Sequence, residues 1–122
     1  MTLSAHSLEG SQLDSERIAM LRSIRNGALL QKVVQSYMAD SPPQVTAFLA
    51  ALGVADAVAA LRVAHALKSA SFSIGAKHVG AICEHIEQSL RQGATLDVAA
   101  VSAMLSASHT AVIAELGRLL HT

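Results

Sequence analysis

Aromatic side chains are nearly missing from this 122-residue chain: it has no tryptophan, one tyrosine and two phenylalanines, although 52% of its residues are hydrophobic. A core without large rings must be filled by Ala, Leu, Val, Ile and Met, which is the composition of packed helices rather than of strands. The single cysteine, Cys83, excludes an internal disulfide and points to a reducing compartment. Neither sign of charge is in excess, nine Lys and Arg balancing nine Asp and Glu, so no field exists to hold nucleic acid or an anionic membrane surface. No run of about 18 apolar residues is present, and the start, MTLSAHSLEGSQ, lacks the basic-then-apolar order of a secretory signal. The expectation is a cytoplasmic domain with no nucleic-acid partner and no membrane contact of its own. Only two prolines and seven glycines interrupt the chain, which fits one small domain with a single core.

Helical periodicity is what the sequence does contain. Residues 1–12 are rich in Ser and Gly without an apolar period and read as a flexible tail or linker end, with the domain proper over 13–122. Asp14 can cap a short first helix carrying Ile18, Leu21 and Ile24, with Leu13 at the staple position and Asn26-Gly27 as its end. A second helix holds Leu30, Val34, Tyr37, Val45, Phe48 and Leu52 in one phase. That phase runs through Pro42-Pro43 and so favours one kinked helix over a break at Ser41. Asp56 can cap a third helix whose inward stripe is Val63, Leu67, Ala70 and Ile74, interrupted at Gly75. A fourth, from about Lys77 to Gln92, shows Val79, Ile82, Cys83, Ile86 and Leu90 before a stop at Gly93. Thr95 can cap a fifth, with Val101, Leu105, Val112, Leu116 and Leu119 inward. The expected fold is all-α: an antiparallel four-helix bundle with a short extra N-terminal helix.

Within the third helix the stretch AHALKSASFSIGA places His65 almost opposite the apolar stripe, with Lys68, Ser69 and Phe72 beside it. Val58 and Leu61 share that flank, so His65 stands inside a partly exposed apolar patch of the kind that docks a partner. Neutral imidazole, with a reference pKa of about 6.5, is a nitrogen nucleophile competent to accept a phosphoryl group at neutral pH. Lys68, one turn on, is within reach of the anionic oxygens such a group would carry. Ser69 and Ser71, around small Ala70, leave room for another protein's active site to approach. Other clusters are poorer. His78 and His85 are one heptad apart, too far for a metal pair at i, i+4, and no Glu-x-x-His occurs. Cys83 sits in an inward stripe as a small hydrophobe. His6, His109 and His121 have no local company and receive no role.

Taken together, His65-x-Leu67-Lys68-x-x-Ser71-x-x-Ile74-Gly75-Ala76, then Cys83-Glu84-x-Ile86-Glu87 and Arg91 before Gly93, resemble the signature of histidine-containing phosphotransfer (HPt) domains of two-component phosphorelays. The likeness runs from Leu13-Asp14 to the last helix. It implies that His65 accepts the phosphoryl group at Nε2, that Lys68 stabilises it, and that Glu87 bonds the other ring nitrogen and fixes the tautomer. It implies docking of receiver domains through Val58, Leu61, Ser69, Ser71 and Phe72, transfer between receiver aspartates, no cofactor, no resident metal and no kinase activity. The family usually carries Gly where Ser69 stands, and serine is the next smallest choice. A monomer is expected, as the C-terminal module of a hybrid sensor kinase, its receiver partner possible within the same parent chain. The alternative from another class is a helical interaction module that binds a regulator or enzyme through the same His65 face without transfer.

Overall fold

The computed structural model describes residues 11–120, and all regular structure among them is helical. Helix α1 spans Ser15–Arg22, a 3-10 turn Ile24–Gly27, α2 Ala28–Gly53, α3 Ala57–Ile74, α4 Lys77–Arg91 and α5 Val98–Leu120. Helix α3 packs on α2 and α4, and α5 closes the ring against α4 and α2. Four long helices therefore form an antiparallel bundle in chain order, with α1 laid over α2 and the end of α3. His6, His121 and residues 1–10 lie outside the described residues.

Local chemistry accounts for most boundaries. The Asp14 carboxylate accepts from the backbone N–H of Glu16 at 3.0 Å and of Arg17 at 3.3 Å, capping α1. After α1, Arg25 and Asn26 both turn left-handed at φ 54° and Gly27 follows at φ 87°, which ends the helix and starts α2. Asp56 caps α3 through the N–H of Ala59. Gly75 ends α3 at φ 82°, where a left-handed residue lets the N–H of Ala76 close on the Ser71 carbonyl at 2.7 Å. The gain from that glycine extends to α1: Asp14 N–H donates to the Gly75 carbonyl at 2.7 Å, and Arg17 Nε to the Ser73 carbonyl at 2.8 Å. Helix α2 is continuous through Pro42 and Pro43. Both prolines lie on its exposed side, where water can reach the carbonyls they leave without an N–H partner.

Several placements differ from the sequence expectation: Ile24, expected on the first helix, lies in the 3-10 turn and is 37% exposed. Helix α5 is capped by Asp97, whose carboxylate accepts from the N–H of Ala100 at 3.0 Å, and not by Thr95. Gln12, counted with the tail, is 1% exposed. Its side chain accepts from Ser108 Oγ at 3.1 Å, and Glu115 on α5 accepts from its backbone N–H at 2.7 Å and from Ser11 Oγ at 2.6 Å. Ser11 and Gln12 thus belong to the packed domain. In α3 the buried residues are Ala60, Ala64, Leu67, Ser71 and Ile74, with Val63 and Ala70 only partly buried at its border. The inward face is rotated by about 50° from the stripe read off the bulky residues, because small Ala60, Ala64 and Ser71 let the neighbouring helices come close.

Helix α5 is long and apolar enough to cross a membrane by length and composition alone. Here it contributes Val101, Leu105, Ser108, His109, Val112 and Leu116 to the bundle interior. That interior also holds a row of polar groups. Tyr37 Oη and Ser71 Oγ are 2.8 Å apart, and Ser41 Oγ and His109 Nε2 are 2.8 Å apart. Every buried side-chain nitrogen or oxygen among the described residues has a hydrogen-bond partner.

Candidate functional site

Rotation of α3 decides which side chains face out. Ala60, Ala64, Leu67, Ser71 and Ile74 turn inward, so His65, between Ala64 and Ala66 in the middle of the helix, must point away from the core. Its side chain is 66% exposed. Opposite it on α4 the buried stripe of Val79, Ile82, Cys83 and Ile86 continues by helical spacing to Glu87, which is drawn to the α3 interface although it is charged. The Glu87 side chain is 6% exposed.

A buried carboxylate must be paired, and Glu87 is paired with two cations. Lys68 Nζ donates to its Oε1 at 2.6 Å, and Arg91 Nη2, four residues on along α4, donates to its Oε2 at 3.2 Å. His65 Nδ1 lies 3.5 Å from the same Oε2. The Lys68 hydrogen bond holds the Glu87 carboxyl below the usual carboxylate range, burial opposes that, and Arg91 reinforces it. Glu87 is therefore a fixed negative charge under an exposed imidazole. With Nδ1 on the carboxylate side, Nε2 occupies the opposite edge of the ring. This arrangement can present one ring nitrogen as a nucleophile while the other keeps its proton.

Most of the residues singled out in the sequence come together here. Val58, Leu61, Ser69 and Phe72 lie on the same face as His65: Val58 is 76% exposed, Phe72 43%, Ser69 is exposed and Leu61 half-buried. Ser71 does not belong to that face. It is fully buried and bonded to Tyr37, because the core side of α3 runs through it rather than through Ala70. Lys68 is on the site but tied to Glu87, its side chain only 21% exposed. A phosphoryl group on His65 would compete with that carboxylate for the ammonium. Cys83 is buried, and its thiol is pushed up to about 12 by burial and then by the Glu87 charge, with Lys68 opposing, so it is no nucleophile. No group of three or more His, Cys, Asp or Glu among the described residues is arranged to hold a metal ion.

Two residues of the site escaped assignment from sequence. Arg91 stood out only as part of a pattern, yet its i, i+4 spacing from Glu87 was a legible sign of an ion pair. Gly80 is buried in α4, and a Cβ there would meet the ring of Phe72. A glycine within an apolar helical stripe signals a close approach, though not by what.

The family model for the Hpt domain matches residues 32–120, well over half of the chain. The chain belongs to the Hpt domain family. Hpt domains are histidine-containing phosphotransfer modules, and this one serves histidine phosphotransfer in a phosphorelay. Among solved structures it is similar to the histidine-containing phosphotransfer protein B (HptB) from Pseudomonas aeruginosa PAO1. The two share 22% identity and a TM-score of 0.83, over 92% of this chain and 96% of that one, which shows a common fold. No curated protein matches the chain.

Proposed function

We propose that His65 is the phosphoryl acceptor of this Hpt domain and that Glu87, Lys68 and Arg91 form its supporting charge cluster. The observation that carries this reading is the buried Glu87 carboxylate, 3.5 Å from Nδ1 of a histidine that is otherwise open to solvent. With its Oε2 3.5 Å from Nδ1, the Glu87 charge favours the tautomer that keeps the proton on Nδ1 and leaves the lone pair on Nε2. In the forward step that lone pair attacks the phosphorus of a receiver's aspartyl phosphate. The Nε2–P bond forms as the acyl P–O bond breaks, and the aspartate leaves with the electron pair. The Nδ1 proton stays on the ring, and the Glu87 charge stabilises the imidazolium character that develops. Lys68 then divides its ammonium between Glu87 and the phosphoryl oxygens, and Arg91 keeps Glu87 balanced as it does so. Reversal on a second receiver completes the relay.

The domain acts as a phosphoryl carrier. Receivers dock over Val58, Leu61, Ser69 and Phe72, in a transient contact below about 1,200 Å². The domain works as a cytoplasmic monomer without membrane contact. The test is transfer of radiolabelled phosphoryl from a phosphorylated receiver: wild type should take up acid-labile, base-stable label, and His65→Gln should take up none. Equal labelling of the variant overturns the assignment.

A further inference from the structure

Phe72 is the aromatic side chain on the His65 face of α3, 43% exposed, and it does not stand free of α4. A Cβ built on Gly80 would lie 2.7 Å from Phe72 Cε1, 2.8 Å from Cζ and 2.9 Å from Cδ1. Carbon atoms in contact sit about 3.5–4.0 Å apart, so the ring already occupies the space that any side chain at this position would fill. Gly80 has an ordinary helical backbone inside α4. Its conformation therefore does not call for glycine, which weakens a helix interior relative to alanine. The ring is what calls for it.

The position of that ring matters because of where it stands. Phe72 follows His65 by seven residues, two turns or about 10.5 Å along the same face of α3. A receiver that brings its aspartate to His65 covers several hundred Å² around it, and its footprint crosses Phe72. One edge of the ring is pressed on the Gly80 backbone, and the remainder is offered to solvent. We propose that Gly80 and Phe72 form a matched small and large pair that seats the ring on α4 and so sets the contour of the receiver-docking face, which makes Gly80 a positioning residue for partner recognition. This inference rests on the reading of His65 as the phosphoryl acceptor. A methyl group at Gly80 would drive the ring outward. Phe72 is partly exposed and has only two side-chain torsions to adjust, so the ring can swing without unfolding the bundle, and the docking face changes instead.

The experiment measures single-turnover phosphoryl transfer from receiver domains loaded with acetyl phosphate to wild type, Gly80→Ala, Phe72→Ala and the double variant, with thermal melts of each. Gly80→Ala should raise the half-saturating receiver concentration about tenfold, with the maximal rate constant within about twofold. The double variant should be no weaker than Phe72→Ala alone, because without the ring the methyl group has nothing to displace. A wild-type half-saturating concentration for folded Gly80→Ala or for Phe72→Ala overturns the proposal, as does a double variant weaker by the product of the single effects. If Gly80→Ala reduces the folded fraction, the double variant carries the test alone: equality with Phe72→Ala supports the pairing, and a further tenfold loss refutes it. His65→Gln in the same assay separates the two levels. Labelling of that variant removes the acceptor, whereas an unlabelled His65→Gln beside a silent Gly80→Ala removes only the seating.

Discussion

Two histidines stand in the middle of long helices among small residues, His65 between Ala64 and Ala66 in α3 and His109 between Ser108 and Thr110 in α5, and their surroundings are opposite. His65 is exposed over most of its side chain and faces a buried carboxylate shared with two cations. His109 is 8% exposed, its Nε2 is 2.8 Å from the neutral Ser41 hydroxyl, and its ring centroid is 6.2 Å from that of Tyr37. Burial pushes the His109 pKa down and keeps the ring neutral. A nucleophilic imidazole needs one nitrogen held and the other open; a structural imidazole needs only to be satisfied. The difference lies in what the neighbouring helix supplies, a charge from α4 in one case and a hydroxyl from α2 in the other.

Exchanging glutamine into each position gives the sharpest contrast. His65→Gln should reduce phosphoryl uptake by at least about 10³-fold, the loss of the nucleophile itself, while its stability changes by no more than about 0.5 kcal/mol because the site is on the surface. His109→Gln should retain phosphoryl uptake but lose about 1–3 kcal/mol in urea unfolding, since the Ser41 partner is disturbed inside the core. A folded His109→Gln that fails to accept phosphoryl would erase the distinction between the two clusters.

A smaller effect probes the two cations on Glu87. Lys68→Ala removes a charge-assisted contact worth about 1.5–3 kcal/mol and should slow transfer by about tenfold or more. Arg91→Ala, whose side chain is 62% exposed, should slow it by about threefold or less. Stopped transfer reactions at saturating receiver, read by gel, rank the two. Equal losses would mean that both cations reach the phosphoryl group and that the division of labour drawn from burial is wrong.

The bundle itself was legible because bulky residues repeat in phase: Leu30, Val34, Tyr37, Val45, Phe48 and Leu52 are all buried in α2, and the phase crosses the prolines without a break in the helix. Asp14, Asp56, Gly75 and Gly93 announced their turns, each through a capping oxygen or a left-handed φ that few residue types supply. Small side chains carry a weaker signal. Ala60, Ala64 and Ser71 form the core side of α3, yet a stripe drawn through large residues passes beside them, and small size alone does not tell a buried Ser71 from a docking-face serine. His109 looked solitary since its partners, Ser41 and Tyr37, lie 68 residues and more away in sequence. Of the site, a family pattern could relate His65 to Glu87 across 22 positions; nothing in the sequence could show that Lys68 rests on Glu87 or that Phe72 rests on Gly80. Contacts between helices depend on rotation about each axis, and period alone fixes that only to about half a residue.

The smallest effect is a pH dependence of stability, and its sign follows from the buried cluster. His109 has its pKa lowered from the ordinary 6.5 by desolvation. His78 shifts the same way, first by desolvation and then by the Lys77 charge, with Glu115 opposing. Below 6.5 the unfolded chain therefore binds protons that the folded chain does not, so stability is complete above that pH and declines as pH falls through the folded-state values. Glu87, with its pKa lowered from 4.5, adds a second decline only in the acidic range below its unfolded value. Thermal melts between pH 8 and pH 5 should show the midpoint falling below about 6.5, and the fall should be shallower in His109→Gln, leaving the His78 share. An identical slope in wild type and His109→Gln would mean that the buried imidazole is protonated as readily as in the unfolded chain, and that His109 and His65 differ less than their surroundings imply.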